Sequence, residues 1–195
     1  EMADKHNYLW ESKGGTEEEK IVRDMAVFSA FGEGLQLFGS FIMLLNFQRF
    51  GKMKGMGQIV AWSIRDENHH VENMIKLLHN VLDEKPHVWN DKFKKSLYDI
   101  CRDMVTLEEK FIDLAFAQGP VQGLTPQEVK NYIHYMADRR LLQLGLKPNY
   151  GVKENPLEWV DYIVNGQAHE NFFETRATEY AKGAVQGDWS EAFTS

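Results

Sequence analysis

A single carboxylate, Glu33, stands inside Phe28-Ser29-Ala30-Phe31-Gly32-Glu33-Gly34-Leu35-Gln36-Leu37-Phe38-Gly39-Ser40-Phe41, a stretch that is apolar or small on nearly every side. A carboxylate there is hard to place in water, and a buried, unpaired one either takes up a proton or finds a cation. The stretch belongs to a long helix. Thr16-Glu17-Glu18-Glu19 is a capping box, in which the Thr16 hydroxyl serves one free backbone N–H and Glu19 reaches back to another. The helix it opens runs to about Phe50, where Gly51, Gly55 and Gly57 interrupt the pattern. Gly32, Gly34 and Gly39 inside it cost stability, so the sequence predicts close packing or a local distortion around Glu33.

The remaining pattern is helical as well. A second helix is expected from about Gln58 to Leu82, stopping before Pro86, and a third from Asn90 or Asp91 to about Gln118. Thr125-Pro126-Gln127-Glu128 is another capping box, with Pro at the first helical position, and its helix ends near Gly145. Asn155-Pro156 opens a shorter segment. From Gln167 the periodicity weakens, and the rest reads as a mobile tail. The expected architecture is an all-α bundle over residues 1–166 followed by a tail over 167–195. Glu1 to His6 reads as the interior of a helical segment without a cap, which predicts a fragment, a processed chain or the second piece of a split protein.

Composition narrows the class. Twelve Phe and five Trp are enough for a sizeable core in a chain of 195 residues. A formal charge of -7 without a basic cluster argues against a nucleic-acid surface. The apolar runs, such as Phe41 to Leu45, fall short of a membrane span, and no signal peptide heads the sequence. The single cysteine, Cys101, excludes an internal disulfide, suits a reducing compartment and reads as a small buried hydrophobe. These features together predict a cytoplasmic protein.

The strongest local motif is Arg65-Asp66-Glu67-Asn68-His69-His70. Each helical residue turns by about 100°, so Glu67 and His70 lie about 60° apart on one face and can converge on one ion. His69 points away from that pair. Alone, a Glu-x-x-His spacing is weak, because such pairs are common on helix surfaces. One Glu from the preceding helix, Glu33, added to a Glu-x-x-His on the next makes half of a four-helix dinuclear carboxylate pattern. Oxygen-rich ligation with imidazole suits iron or manganese. Glu84-Lys85-Pro86-His87 has the same spacing, but Pro86 and the end of the helical pattern put it in a loop. His134 and Asp138 could chelate at i,i+4, yet Tyr132, Tyr135 and Arg139 around them point to a structural polar face. Glu108-Glu109-Lys110 reads as a solvated charge run.

At Glu33-Gly34-Leu35-Gln36-Leu37-Phe38-Gly39-Ser40-Phe41 and Arg65-Asp66-Glu67-Asn68-His69-His70 the sequence resembles the small (β) subunit of class I ribonucleotide reductase. Asn155-Pro156-Leu157-Glu158-Trp159 and Glu174-Thr175-Arg176-Ala177-Thr178-Glu179-Tyr180 resemble the family's late helix and tail. The resemblance implies the C-terminal part of a ferritin-like bundle. It further implies Glu33, Glu67 and His70 as metal ligands, and a cofactor of two iron ions, manganese or a mixed pair. Asp66 matches an aspartate that bonds a ligand histidine of the first half and lies on the radical-transfer route. Leu37, Phe41 and Ser63 fall where the family lines the pocket around the radical. Leu37 replaces a common phenylalanine, and Ser63 a common aliphatic. Tyr180 matches the tyrosine that relays the radical, Glu174 the nearby glutamate, and Trp189 and Phe193 the end that docks on the large subunit.

The family's first ligand set, an Asp and a Glu-x-x-His, is absent, and so is its radical-bearing tyrosine. A separate or removed N-terminal portion is therefore expected to complete the site, within a homodimer of the completed subunit. The activity implied is reduction of ribonucleotides to deoxyribonucleotides. Two competing readings are a ferritin-like ligand-binding metal oxidase, which would lack the relay tail, and a metal-free helical interaction protein.

Overall fold

The computed structural model describes residues 15–166. Six α-helices follow one another among these residues: α1 (Glu17–Ala26), α2 (Phe38–Arg49), α3 (Lys54–Glu84), α4 (Asp91–Phe116), α5 (Pro126–Gln143) and α6 (Glu158–Gly166). Between α1 and α2 the backbone is a π-helix over Val27–Gln36, and a short 3-10 turn, Pro86–Val88, precedes α4. The tail residues Glu174, Tyr180, Trp189 and Phe193 lie outside the described residues.

Local chemistry sets the helix ends. The Glu19 amide donates to Thr16 Oγ1 at 3.2 Å and the Thr16 amide to Glu19 Oε2 at 3.1 Å, completing the first capping box. Thr125 and Glu128 repeat it at 3.2 and 2.8 Å, with Pro126 at the first position. Asn90 caps α4 through the Phe93 amide at 2.9 Å. At the end of α5, Gly145 adopts φ +77°, and the Leu146 amide closes back on the Leu141 carbonyl at 2.8 Å. That is a Schellman stop, and its left-handed residue is glycine because a Cβ would strain it. The observed helices match the expected ones to within a few residues. α3 starts earlier than expected, at Lys54, and the expected distortion in the long helix is the π segment.

α1, the π segment and α2 form one continuous axis through the core. Val22, Ala26, Ala30, Phe31, Leu35, Ile42 and Leu45 along it are fully buried. They meet Val71 and Leu78 of α3, Leu97, Cys101 and Ile112 of α4, and Val129, Ile133 and Leu141 of α5. Glu17–Arg49 taken whole is long and apolar enough to cross a membrane by length and composition, unlike the short runs read from the sequence. It is the central helix of this bundle, with half of its most apolar window buried.

The structure corrects the reading of Glu108-Glu109-Lys110 as a solvated run. Glu108 is only 4% exposed. Cys101, Val105, Glu108 and Ile112 follow one another at four, three and four residues, so Glu108 falls on the buried stripe of α4 despite its charged neighbours. Cys101 is buried as expected, and burial pushes its thiol up to about 12.

Candidate metal centre

Glu33 comes from the π segment, and Glu67 and His70 from the middle of α3, where the two lie side by side. One ligand atom from each of the three lies within 4.8 Å of the other two, close enough to share an ion. His70 Nδ1 stands 3.5 Å from Glu67 Oε2, too far for a hydrogen bond. Glu67 Oε2 is itself shielded from solvent and makes no hydrogen bond among the described residues. A carboxylate oxygen withdrawn from water and unpaired is costly to bury, and a cation on the same side relieves that cost. Two carboxylates and one imidazole nitrogen suit iron or manganese. By donor type and by this orphaned oxygen, the residues fit a metal.

The constellation faces outward. Glu33 and Glu67 are half-buried, and His70 is exposed. Phe28 and Leu37 flank Glu33 and are 48% and 42% exposed. On α3, Ile59, Ser63, Asp66, His70, Asn73 and Leu77, spaced four, three, four, three and four residues apart, share one face, and all but the half-buried Ser63 are exposed. Ile59 and Leu77, at its two ends, are 60% and 48% exposed. Glu33 is thus less buried than its apolar sequence context implied, because the side chains around it lie on an open face.

Of the other site residues, Asp66 and His69 are exposed. Ser63 is half-buried and donates to the Ile59 carbonyl at 3.1 Å, and Phe41 packs edge-on against Phe38 at 5.8 Å. His87 of the Glu84–His87 motif pairs with Glu18 Oε2 at 2.9 Å, and Lys85 pairs with the other oxygen of the same carboxylate, so both serve the packing of α1. His134 bonds Glu109 at 2.8 Å and stacks on Tyr150. Asp138 accepts the amides of Asn149, Tyr150 and Val152 at 2.7, 2.9 and 2.9 Å, fixing the loop after α5. His134 and Asp138 are therefore engaged in separate structural bonds.

Sequence reasoning missed the groups behind the centre. Arg140 on α5 is 1% exposed and donates to the Gly34 carbonyl, Asn68 Oδ1 and Gln143 Oε1. Its bonds go to neutral oxygens, and burial lowers its guanidinium to about 10. Glu108 accepts the Gly39 amide at 2.9 Å. Burial raises its carboxyl to about 7, against the smaller opposing effect of that bond.

A family model described as ribonucleotide reductase, small chain, matches residues 1–156. The chain is 45% identical over 205 residues to a protein of Invertebrate iridescent virus 3 described as a probable ribonucleoside-diphosphate reductase small subunit. That match covers 96% of this chain and 54% of the relative. The ribonucleoside-diphosphate reductase subunit beta of Chlamydia pneumoniae is 31% identical, over 83% of this chain and 46% of its own length. The solved ribonucleotide reductase R2 subunit from Clostridium botulinum superposes with a TM-score of 0.70 at 23% identity, over 76% of this chain and 46% of that one. That likeness concerns the helical fold. The chain spans about half the length of the curated relatives it matches.

Proposed function

The chain belongs to the ribonucleotide reductase small-chain family, and from that premise we propose that it supplies half of a dinuclear metal site and the radical path leading from it. The observation that carries this reading is the convergence of Glu33, Glu67 and His70 around the unbonded Glu67 Oε2. Glu33 and Glu67 would hold the ions through carboxylate oxygens and His70 through a ring nitrogen. When bound, a pair of iron ions, manganese ions or one of each would supply the redox chemistry with oxygen that yields an oxidant.

The open face supports a partner of definite kind. A helical N-terminal portion, on the same or a separate polypeptide, would lie along Ile59, Ser63, Asp66, His70, Asn73 and Leu77 and bring the remaining ligands. Asp66 is exposed there, and its carboxylate would accept an N–H from a ligand imidazole of that portion and fix its orientation. Leu37, Phe41 and Ser63 would line the pocket beside the ions and limit the access of water. Asp66 and Tyr180 would carry the radical toward the large subunit, on which Glu174, Trp189 and Phe193 dock, for the reduction of ribonucleotides to deoxyribonucleotides. The completed subunit would work as a homodimer in the cytoplasm.

Metal analysis tests the half-site. The chain alone should bind Mn(II) weakly, and adding the N-terminal portion of a relative should raise both affinity and stoichiometry. Two tightly held ions per chain without a partner would refute the reading. Truncation after Glu174 should abolish nucleotide reduction by the completed enzyme and leave metal loading intact.

A further inference from the structure

The π-helical segment ends at Gln36, three residues after Glu33, and buried side chains from two other helices take up groups on either side of that end. Gly34 and Gly39 stand five residues apart, the separation that a π-helical hydrogen bond joins. Yet the Gly39 amide donates to Glu108 Oε1 at 2.9 Å, and the Gly34 carbonyl accepts from Arg140 Nε at 2.9 Å. Both approaches require glycine. A Cβ on Gly39 would lie 2.5 Å from Glu108 Oε1, and one on Gly34 would lie 2.6 Å from Arg140 Nε.

Arg140 does more than serve this one carbonyl. Its Nη2 donates to Asn68 Oδ1 at 2.7 Å, and its Nη1 to Gln143 Oε1 at 2.9 Å. Gly34 follows Glu33, and Asn68 follows Glu67. One guanidinium thus joins the two carboxylate-bearing helices at the residue after each carboxylate. Its planar set of donors fixes the angle between those acceptors, which a lysine, with a single point of charge, cannot do. From the other side, the Glu108 carboxylate sits at the first turn of α2, where free amides and the helix dipole favour a negative group. Apolar residues could fill this volume at lower cost than two buried ionisable groups.

We propose that Arg140 and Glu108 are positioning residues that hold the π-helical register at Glu33 and thereby set the separation of the Glu33 and Glu67 carboxylates. The proposal rests on the metal-site reading, since ligand geometry has to be kept to within about 0.5 Å for a site to work.

The test uses the full chain and its Arg140→Lys, Arg140→Met and Glu108→Met variants, the last removing the acceptor of the Gly39 amide, with Asp138→Asn as a control for loss of a buried structural charge on α5. Exchange of the Gly39 amide and its neighbours is followed by NMR, and Mn(II) affinity by EPR titration. Losing one of these bonds should speed exchange at the junction about tenfold relative to the rest of the long helix. Disturbing groups that orient ligands should weaken Mn(II) binding about tenfold or more, with Arg140→Lys milder than Arg140→Met. Asp138→Asn should lower the melting temperature and leave Mn(II) affinity unchanged.

Unaltered exchange at the junction overturns the proposal, and so does faster exchange with wild-type Mn(II) affinity. An affinity loss in Asp138→Asn equal to that in Arg140→Lys also overturns it, because general destabilisation would then account for both. If Arg140→Met does not fold, Arg140→Lys and Glu108→Met decide. A wild-type chain that takes up no Mn(II) refutes the metal reading alone. Junction exchange then judges the register claim, which faster exchange in the variants supports and unchanged exchange overturns.

Discussion

Replacing Glu108 with glutamine should make the fold less sensitive to pH, and the size of the effect follows from where the carboxyl sits. Burial raises it from 4.5 to about 7, against a smaller lowering by the Gly39 N–H. Between those two values the unfolded chain has released this proton and the folded chain has kept it. The folded state binds more protons there, so stability falls as pH rises through the window. At about 1.4 kcal/mol per unit, the loss is about 3 kcal/mol, complete above the folded value. Glutamine has the same shape, keeps an oxygen for the Gly39 amide and never ionises. Denaturant unfolding of both proteins at about pH 4 and about pH 8 isolates the term, since every other titrating group is common to the pair. The two should be nearly equal in acid, and the variant should gain about 3 kcal/mol on wild type in base. An identical wild-type-to-variant difference at both values would refute the assignment of a buried, ionisable Glu108. A variant that is more stable at high pH and yet holds Mn(II) less well would mark a group kept for its site at the expense of the fold.

Other outcomes are open to direct measurement. Glu33→Ala should abolish Mn(II) uptake in an EPR titration while the far-ultraviolet circular dichroism stays helical. Asp138→Ala leaves three amides of the 149–152 loop without their acceptor, and chemical denaturation should show a loss of about 3 kcal/mol. Thr125→Ala removes the N-cap of α5 and should cost about 1 kcal/mol in the same assay. Leu77→Lys, on the open face of α3, should change the stability of the chain alone by less than about 0.5 kcal/mol. It should block the rise in metal affinity on adding an N-terminal portion, and undiminished complementation would remove α3 as the docking face.

Where the signal was local, the sequence carried it well. Thr16, Asn90, Thr125 and Pro126 announce helix starts because a cap acts within three residues of itself. Glu67 and His70 were legible for the same reason, being one helical turn apart. Glu33 was legible because its neighbours are so apolar, although they turn out to flank an open face rather than seal it. Gly32, Gly34 and Gly39 announced a distortion without its form. The form depends on Arg140 and Glu108, which reach Gly34 and Gly39 across 106 and 69 residues of sequence. Glu108 was masked by Glu109 and Lys110, whose charges suggested solvent, though its phase with Cys101, Val105 and Ile112 marked the buried stripe. Arg140 follows Met136 and Ala137 at four and three residues on a buried face, a phase outweighed by the expectation that arginine is exposed.

The π-helical segment also bears on how such a chain can change over time. Adding one residue to an α-helix normally rotates everything beyond it and unseats one side from its neighbours. Over Val27–Gln36 the hydrogen bonds already span an extra residue, while Val22 and Ala26 before the segment and Ile42 and Leu45 beyond it remain fully buried. An insertion or deletion there can be absorbed as a wider or narrower turn. Such a change would redirect Glu33 without dismantling the bundle. The stretch that aims the carboxylate is thus the part of the helix most open to inherited length variation.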